Sequence, residues 1–235
     1  RLLPDQVRGA RGRRAYLLER FSTDLAGDAR FRPGYAPAGW TSLVDHLAAR
    51  GATQAEMLAA GVATRTTRGN VIDQFRDRIM FPLTNSDGTV LGFIGRRHPD
   101  TDDTHGPKYL NTRTTLLFHK SAHLFGGPTA DATPVLVEGP MDAIAVTLAG
   151  HGQFVGVAPL GTSLTEEQAR IIAAAGRVIV ATDSDRPGRA AADKAYWQLT
   201  AQRLDPLTIA LPDGTDPADL FTTHGLATLR QLLAN

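Results

Sequence analysis

Between residues 134 and 212 the chain alternates short apolar runs with helix-length segments, and no other feature restricts its fold as much. The run "PVLVE" (134–138) leads into "PMDAIAVTLAG" (140–150), where Pro140 suits a first helical turn and Gly150 a stop. "QFVGVA" (153–158) precedes "LTEEQARIIAAAG" (164–176), and Ser163 with Glu166 has the spacing of a capping box. "RVIVAT" (177–182), "PGRAAADKAYWQLTAQR" (187–203) and "LTIALP" (207–212) continue the pattern. Strands separated by helices of this length pair in parallel, with right-handed crossovers. The predicted class is therefore α/β, a parallel sheet with flanking helices, and ligands of such sheets gather at the carboxyl ends of the strands.

Acidic residues fall at those ends. Glu138 closes the first strand, and Asp142 follows four residues later in the first turn of the helix. Asp183 and Asp185 close the third strand; Asp216 and Asp219 lie in the loop after the fourth. Gathered carboxylates repel and raise one another's pKa unless a cation neutralises them. Taken singly, Asp142 suits a helix dipole and Asp183 a helix cap. The whole set points to a metal. Hard oxygen ligands suit Mg2+ or Mn2+ rather than zinc. Zinc is disfavoured further because the chain has no cysteine, and His119 and His123, spaced i, i+4, lack a third ligand nearby.

Composition excludes several classes. With 42% hydrophobic and 21% charged residues the chain reads as globular, and no run approaches the roughly 18 apolar residues of a membrane span. No signal peptide opens it, so the cytoplasm is the expected compartment and no membrane partner is expected. A P-loop is missing, and "GTS" (161–163) lacks the second glycine of a nucleophile elbow. The chain starts at Arg1 rather than Met, which implies a piece of something longer.

The net charge of +1 conceals two unlike halves. Residues 1–127 carry 18 Lys and Arg against 12 Asp and Glu, whereas residues 128–235 carry 7 against 12. That contrast suggests a basic N-terminal subdomain for polyanions and an acidic domain for cations, divided at 127/128. Within the basic half, "RIMFPL" and "VLGFIG" flank Asn85-Ser86-Asp87-Gly88 and read as a hairpin. Arg76, Arg78, Arg96 and Arg97 sit at or beyond its strands, with Lys108, Arg113 and Lys120 shortly after. Cations presented in this way can track a phosphate backbone, and Tyr109 and Asn111 between them offer stacking and hydrogen bonds to an unpaired base. Trp40 and Trp197 fall on apolar helical patterns and are expected in the core.

The segments "VEGPMDAIA", "VAPLGTSLTEEQ" and "DSDRPGRAAADKA" resemble the Toprim domain of bacterial primases, topoisomerases and some nucleases. Glu138-Gly139 and the Asp-x-Asp-x-x-Gly run from Asp183 to Gly188 carry the likeness. Upstream, "RPGYAPAGWTSLVDHL", "FRDRIMFPLTNSDGTVLGFIGRR" and "PKYLNTRTTLLFHKSAHLFG" resemble the catalytic core of DnaG-type bacterial DNA primases. The resemblance spans roughly residues 15 to 220. It implies a Toprim domain with a Rossmann-like sheet, preceded by a mixed α+β basic subdomain.

It also implies an activity: synthesis of short RNA primers on single-stranded DNA from ribonucleoside triphosphates, dependent on magnesium. Glu138, Asp183 and Asp185 would be catalytic, with Asp142, Asp216 and Asp219 joining them as metal ligands. Arg76, Arg78, Arg96, Arg97, Lys108, Tyr109, Asn111 and Lys120 would hold template or nucleotide. The family's zinc-binding and helicase-binding modules fall outside these 235 residues, so a replicative helicase would be met only through a module absent here. This pattern implies either an excised piece or a reduced, divergent primase. One departure is local: the family's Asp-Pro-Asp reads Asp216-Pro217-Ala218 here, with Asp219 one residue late. A Toprim-type metal-dependent nuclease, or a non-catalytic single-stranded DNA-binding module, is the alternative.

Overall fold

The computed structural model describes residues 4–101, 106–182 and 186–234, in two compact units that divide between His119 and Lys120. Among the described residues, no helix is long and apolar enough to cross a membrane.

The first unit opens with α1 (Pro4–Phe21) and β1 (Gly34–Ala36). A small module follows, made of α2 (Ser42–Ala48), α3 (Gln54–Ala59), β2 (Ala63–Arg65) and β3 (Val71–Asp73). Val44, Met57, Ala63 and Val71 form its core. Asp73, itself buried, accepts from the Leu43 and Val44 amides at 2.8 and 2.9 Å and so caps α2 from a distant strand. The predicted hairpin is present as β4 (Arg78–Thr84) and β5 (Val90–Arg97), and the turn uses Gly88 at φ 83°. With β1 and β6 (Tyr109–Asn111) it makes an antiparallel sheet of order β1-β4-β5-β6.

The second unit contains β7 (Leu124–Phe125), β8 (Thr133–Leu136), α4 (Pro140–Gly150), β9 (Phe154–Pro159), α5 (Glu166–Ala173), β10 (Ile179–Val180), α6 (Arg186–Ala201), β11 (Leu207–Thr208) and α7 (Pro217–Ala234), which breaks at Gly225. The sheet order is β11-β10-β8-β9-β7. Strands β8 to β11 pair in parallel, as the sequence rhythm requires. β7 is an addition: it pairs antiparallel with β9, which draws residues 120–127 into this unit although their sequence groups with the basic half.

Two local expectations are corrected. α5 is capped by Thr165, whose hydroxyl accepts from the Gln168 amide, and not by Ser163 with Glu166. Neither tryptophan is core: Trp40 is 63% exposed outside any helix, and Trp197 is 69% exposed on the outer face of α6. Ala195 and Leu199 take the inward positions of that helix.

Gly156 lets α4 lie against β9. Its amide donates to the Thr147 hydroxyl at 2.9 Å, and a Cβ there would meet the Ala143 carbonyl oxygen at 2.2 Å. Backbone on both sides leaves little room to relax. Gly156→Ala is expected to cost about 3 kcal/mol or more of unfolding free energy, read from urea denaturation.

Candidate active site

β8 has its successor β9 on one side and β10 on the other, so the direction of winding reverses beside it. Open α/β sheets place their ligand crevice at that switch point. Glu138 emerges there, exposed, two residues beyond β8, and Thr182 emerges from β10. Glu138, Gly161, Ser163, Thr182, Lys194 and Gln198 line a cleft of about 110 Å³ whose apolar walls include Leu136, Leu164 and Ala195. Whole-ligand pockets usually measure some 300–1,000 Å³, so the cleft suits one part of a larger ligand.

The other acids are distributed unevenly. Asp142 is buried in the first turn of α4, and its Oδ1 accepts from the Ala218 amide at 3.3 Å, tying α4 to the start of α7. Asp216 caps α7 by accepting from the Asp219 amide. Asp219 is half-buried in that helix's first turn. Asp183 and Asp185 lie outside the described residues.

Among the described residues, no three His, Cys, Asp or Glu side chains group closely enough to hold a metal. The described donor at this edge, Glu138, is a carboxylate, the ligand type that suits a hard divalent cation.

Lys120 belongs to this edge too. It opens a short 3₁₀ turn, Lys120–Ala122, just before β7. Leu124 pairs with Pro159, the last residue of β9, and β7 runs antiparallel. The residues before Leu124 therefore continue past the carboxyl end of β9, on the same side of the sheet as Glu138.

In the first unit the arginines divide by strand alternation. Arg96 pairs with Ile79, so it shares the inner face with Ile94 and Phe81. It is 8% exposed and donates to the Tyr109 hydroxyl at 2.6 Å and the Tyr16 hydroxyl at 2.9 Å, close to both ring faces. Burial opposes its charge, but the two tyrosines outweigh it and raise its pKa. Arg78, 3% exposed, crosses Gly95, whose missing side chain leaves it room. It donates to the carbonyls of Gly95 and Pro107 at 3.1 and 2.9 Å. Burial, then Arg97 and Arg76, lowers its pKa, though an arginine stays protonated.

Both residues were expected to touch nucleic acid; both are buried, with Arg78 bonded to the Pro107 carbonyl and Arg96 to the Tyr109 hydroxyl. Arg97 reaches the Gly106 carbonyl at 2.7 Å, and Arg76 holds the Asp73 carbonyl while lying over the Trp40 ring at 4.4 Å. Lys108 is exposed, with its ammonium 5.8 Å from the Tyr109 ring centroid, while Tyr109 and Asn111 are half-buried on β6.

Residues 5–131 match the family described as DNA primase catalytic core, N-terminal domain, and residues 135–221 match the Toprim-like family. The chain belongs to the DNA primase catalytic-core family. It is 38% identical to the DNA primase of Mycobacterium tuberculosis (strain H37Rv) over 94% of its own length and 36% of that protein. It thus spans about a third of the curated primases it matches. The crystal structure of the RNA polymerase domain of M. tuberculosis primase DnaG aligns with a TM-score of 0.82 at 35% identity, covering 97% of this chain and 76% of that one. A DnaG primase catalytic domain bound to single-stranded DNA aligns at 0.77 and 32% identity, covering 94% and 70%.

Against this primase background, Ala218 stands out. It is fully buried and its amide serves Asp142, so a packed methyl group stands where the resemblance implied a second acid. Asp219 points about 100° away around the helix axis.

Sequence reasoning missed Tyr16, Lys194 and Gln198. For the last two a signal existed, since the helix after the third strand must flank the strand ends. For Tyr16, 80 residues from Arg96, none did.

Proposed function

We propose that this chain is the synthetic core of a primase, joining ribonucleotides on a single-stranded DNA template. The observation that carries the reading is Glu138 at the switch point of a Toprim-like parallel sheet, with the Lys120 turn beyond the same edge. The basic unit supplies the template contacts: exposed Lys108 beside Tyr109, held from behind by Arg78 and Arg96.

In each step the 3′-hydroxyl oxygen forms a bond to the α-phosphorus of a ribonucleoside triphosphate. The α–β bridging bond breaks and pyrophosphate departs. Glu138 is placed to act on the hydroxyl, as proton acceptor or through a cation. Lys120 is placed to orient the triphosphate. Glu138, Asp183 and Asp185 would hold magnesium or manganese, with Asp216 or Asp219 contributing; when bound, the ion offsets charge on the phosphoryl oxygens. Asp142 fixes the start of α7, and with it the position of Asp216. Work on a replication template makes the cytoplasm the expected compartment.

The test is to incubate the 235-residue chain with single-stranded DNA, magnesium and labelled ribonucleotides. Short RNA that vanishes on chelation is expected. Cut DNA would replace this reading with the nuclease, and a gel shift without either product would replace it with the binding module.

A further inference from the structure

We propose that Gln168 is a positioning residue for Lys120, acting from the N-terminal turn of α5 with Thr165. A three-residue 3₁₀ turn such as Lys120–Ala122 leaves its carbonyls without ladder partners and has little to fix it. Gln168 is 1% exposed, a cost that a side-chain amide bears only when it is satisfied. Its Nε2 donates to the Lys120 carbonyl at 2.9 Å and to the His123 carbonyl at 2.7 Å. Its Oε1 accepts from the Thr165 amide at 3.0 Å, closing the capping box. The Thr165 hydroxyl donates to the Ser121 carbonyl.

Three carbonyls of the 120–123 segment are thereby gripped by one helix end. α5 itself starts seven residues past β9, the strand whose carboxyl end the Lys120 turn overhangs. The turn and the cleft wall at Ser163–Leu164 therefore share one anchor, so Lys120 and the cleft keep a fixed spacing. An ordinary helix cap needs only the Thr165 hydroxyl. The Gln168 Oε1 completes that cap, while its Nε2 donates only to the turn and to His123 after it.

The proposal rests on the reading of Lys120 as the triphosphate ligand, and a double-mutant cycle separates the two. Primer synthesis is followed at varied ribonucleotide concentration for the wild-type chain, Gln168→Leu, Lys120→Ala and the double variant. Gln168→Leu is expected to raise KM for the ribonucleotide about tenfold, as misplacement of a binding group does, with single-stranded DNA affinity unchanged. On the Lys120→Ala background the same substitution should change KM less than about twofold, because the group it positions is already gone.

Losses that multiply across the cycle overturn the proposal and leave the Lys120 assignment standing. An unchanged KM in Lys120→Ala overturns that assignment and the proposal with it. Should Gln168→Leu fold poorly by thermal melting, Thr165→Val breaks the same grip at the Ser121 carbonyl. It should show the same coupling to Lys120, while Thr165→Ser, which keeps the hydroxyl, restores the wild-type KM. A Thr165→Ser variant as impaired as Thr165→Val contradicts the proposal.

Discussion

Asp183→Asn and Asp185→Asn are each expected to lower ribonucleotide transfer on the order of 10³-fold, the scale of losing a preorganised electrostatic contact to the reacting phosphoryl group. Neither should alter folding or template affinity, because each exchanges a carboxylate for an amide of nearly the same size and shape. Glu138→Gln should fall in the same class, since its side chain is exposed at the rim of the cleft. Thermal stability of the three variants in chelator should equal or exceed that of the wild type, as repulsion among the carboxylates declines. Single-turnover incorporation in magnesium reads the first effect and differential scanning fluorimetry the second. A near-normal rate in either Asp variant would remove the metal from the account.

The second large effect separates arginines that build the basic unit from lysines that use it. Arg78→Ala is expected to cost about 3 kcal/mol or more, because it empties a buried volume and removes the guanidinium bonds to the Gly95 and Pro107 carbonyls. Lys108→Ala should leave stability within about 0.5 kcal/mol and weaken single-stranded DNA binding, flattening the salt dependence by about one phosphate contact. Urea denaturation and fluorescence anisotropy across a salt series measure the pair. A stable Arg78→Ala protein with a flattened salt slope would mean that Arg78 meets phosphate, contrary to its place in the structure.

The sheet of the second unit was legible because β8, β9 and β10 fall in mostly apolar runs separated by helix-length segments; α4 begins and ends where Pro140 and Gly150 predict. β7 was not. Two residues, Leu124 and Phe125, show no period, and only the partner strand β9 makes them a strand. The fate of the arginines was half-legible. Arg96 alternates in phase with Ile94, and in register with Ile79 and Phe81 across the hairpin, which marks it as inward. The oxygen atoms that compensate its charge come from α1 and β6 and leave no local trace.

Glu138 was legible as an acid beyond a strand end, but the separate placement of Asp142 was not. Asp142 looks equivalent to Glu138 in sequence, yet it is turned to the Ala218 amide 76 residues away. Trp40 misled because a large aromatic ring reads as core. It lies instead under the Arg76 guanidinium, a contact whose stabilisation does not require burial.

Template-directed synthesis is the central claim, and the base sequence of the product tests it most directly. Given single-stranded templates of two different defined sequences, magnesium and all four ribonucleotides, the chain should yield short RNA complementary to each template. Glu138→Gln, prepared in parallel, should yield on the order of 10³-fold less. RNA whose sequence ignores the template, or equal product from the Glu138→Gln protein, would contradict the account.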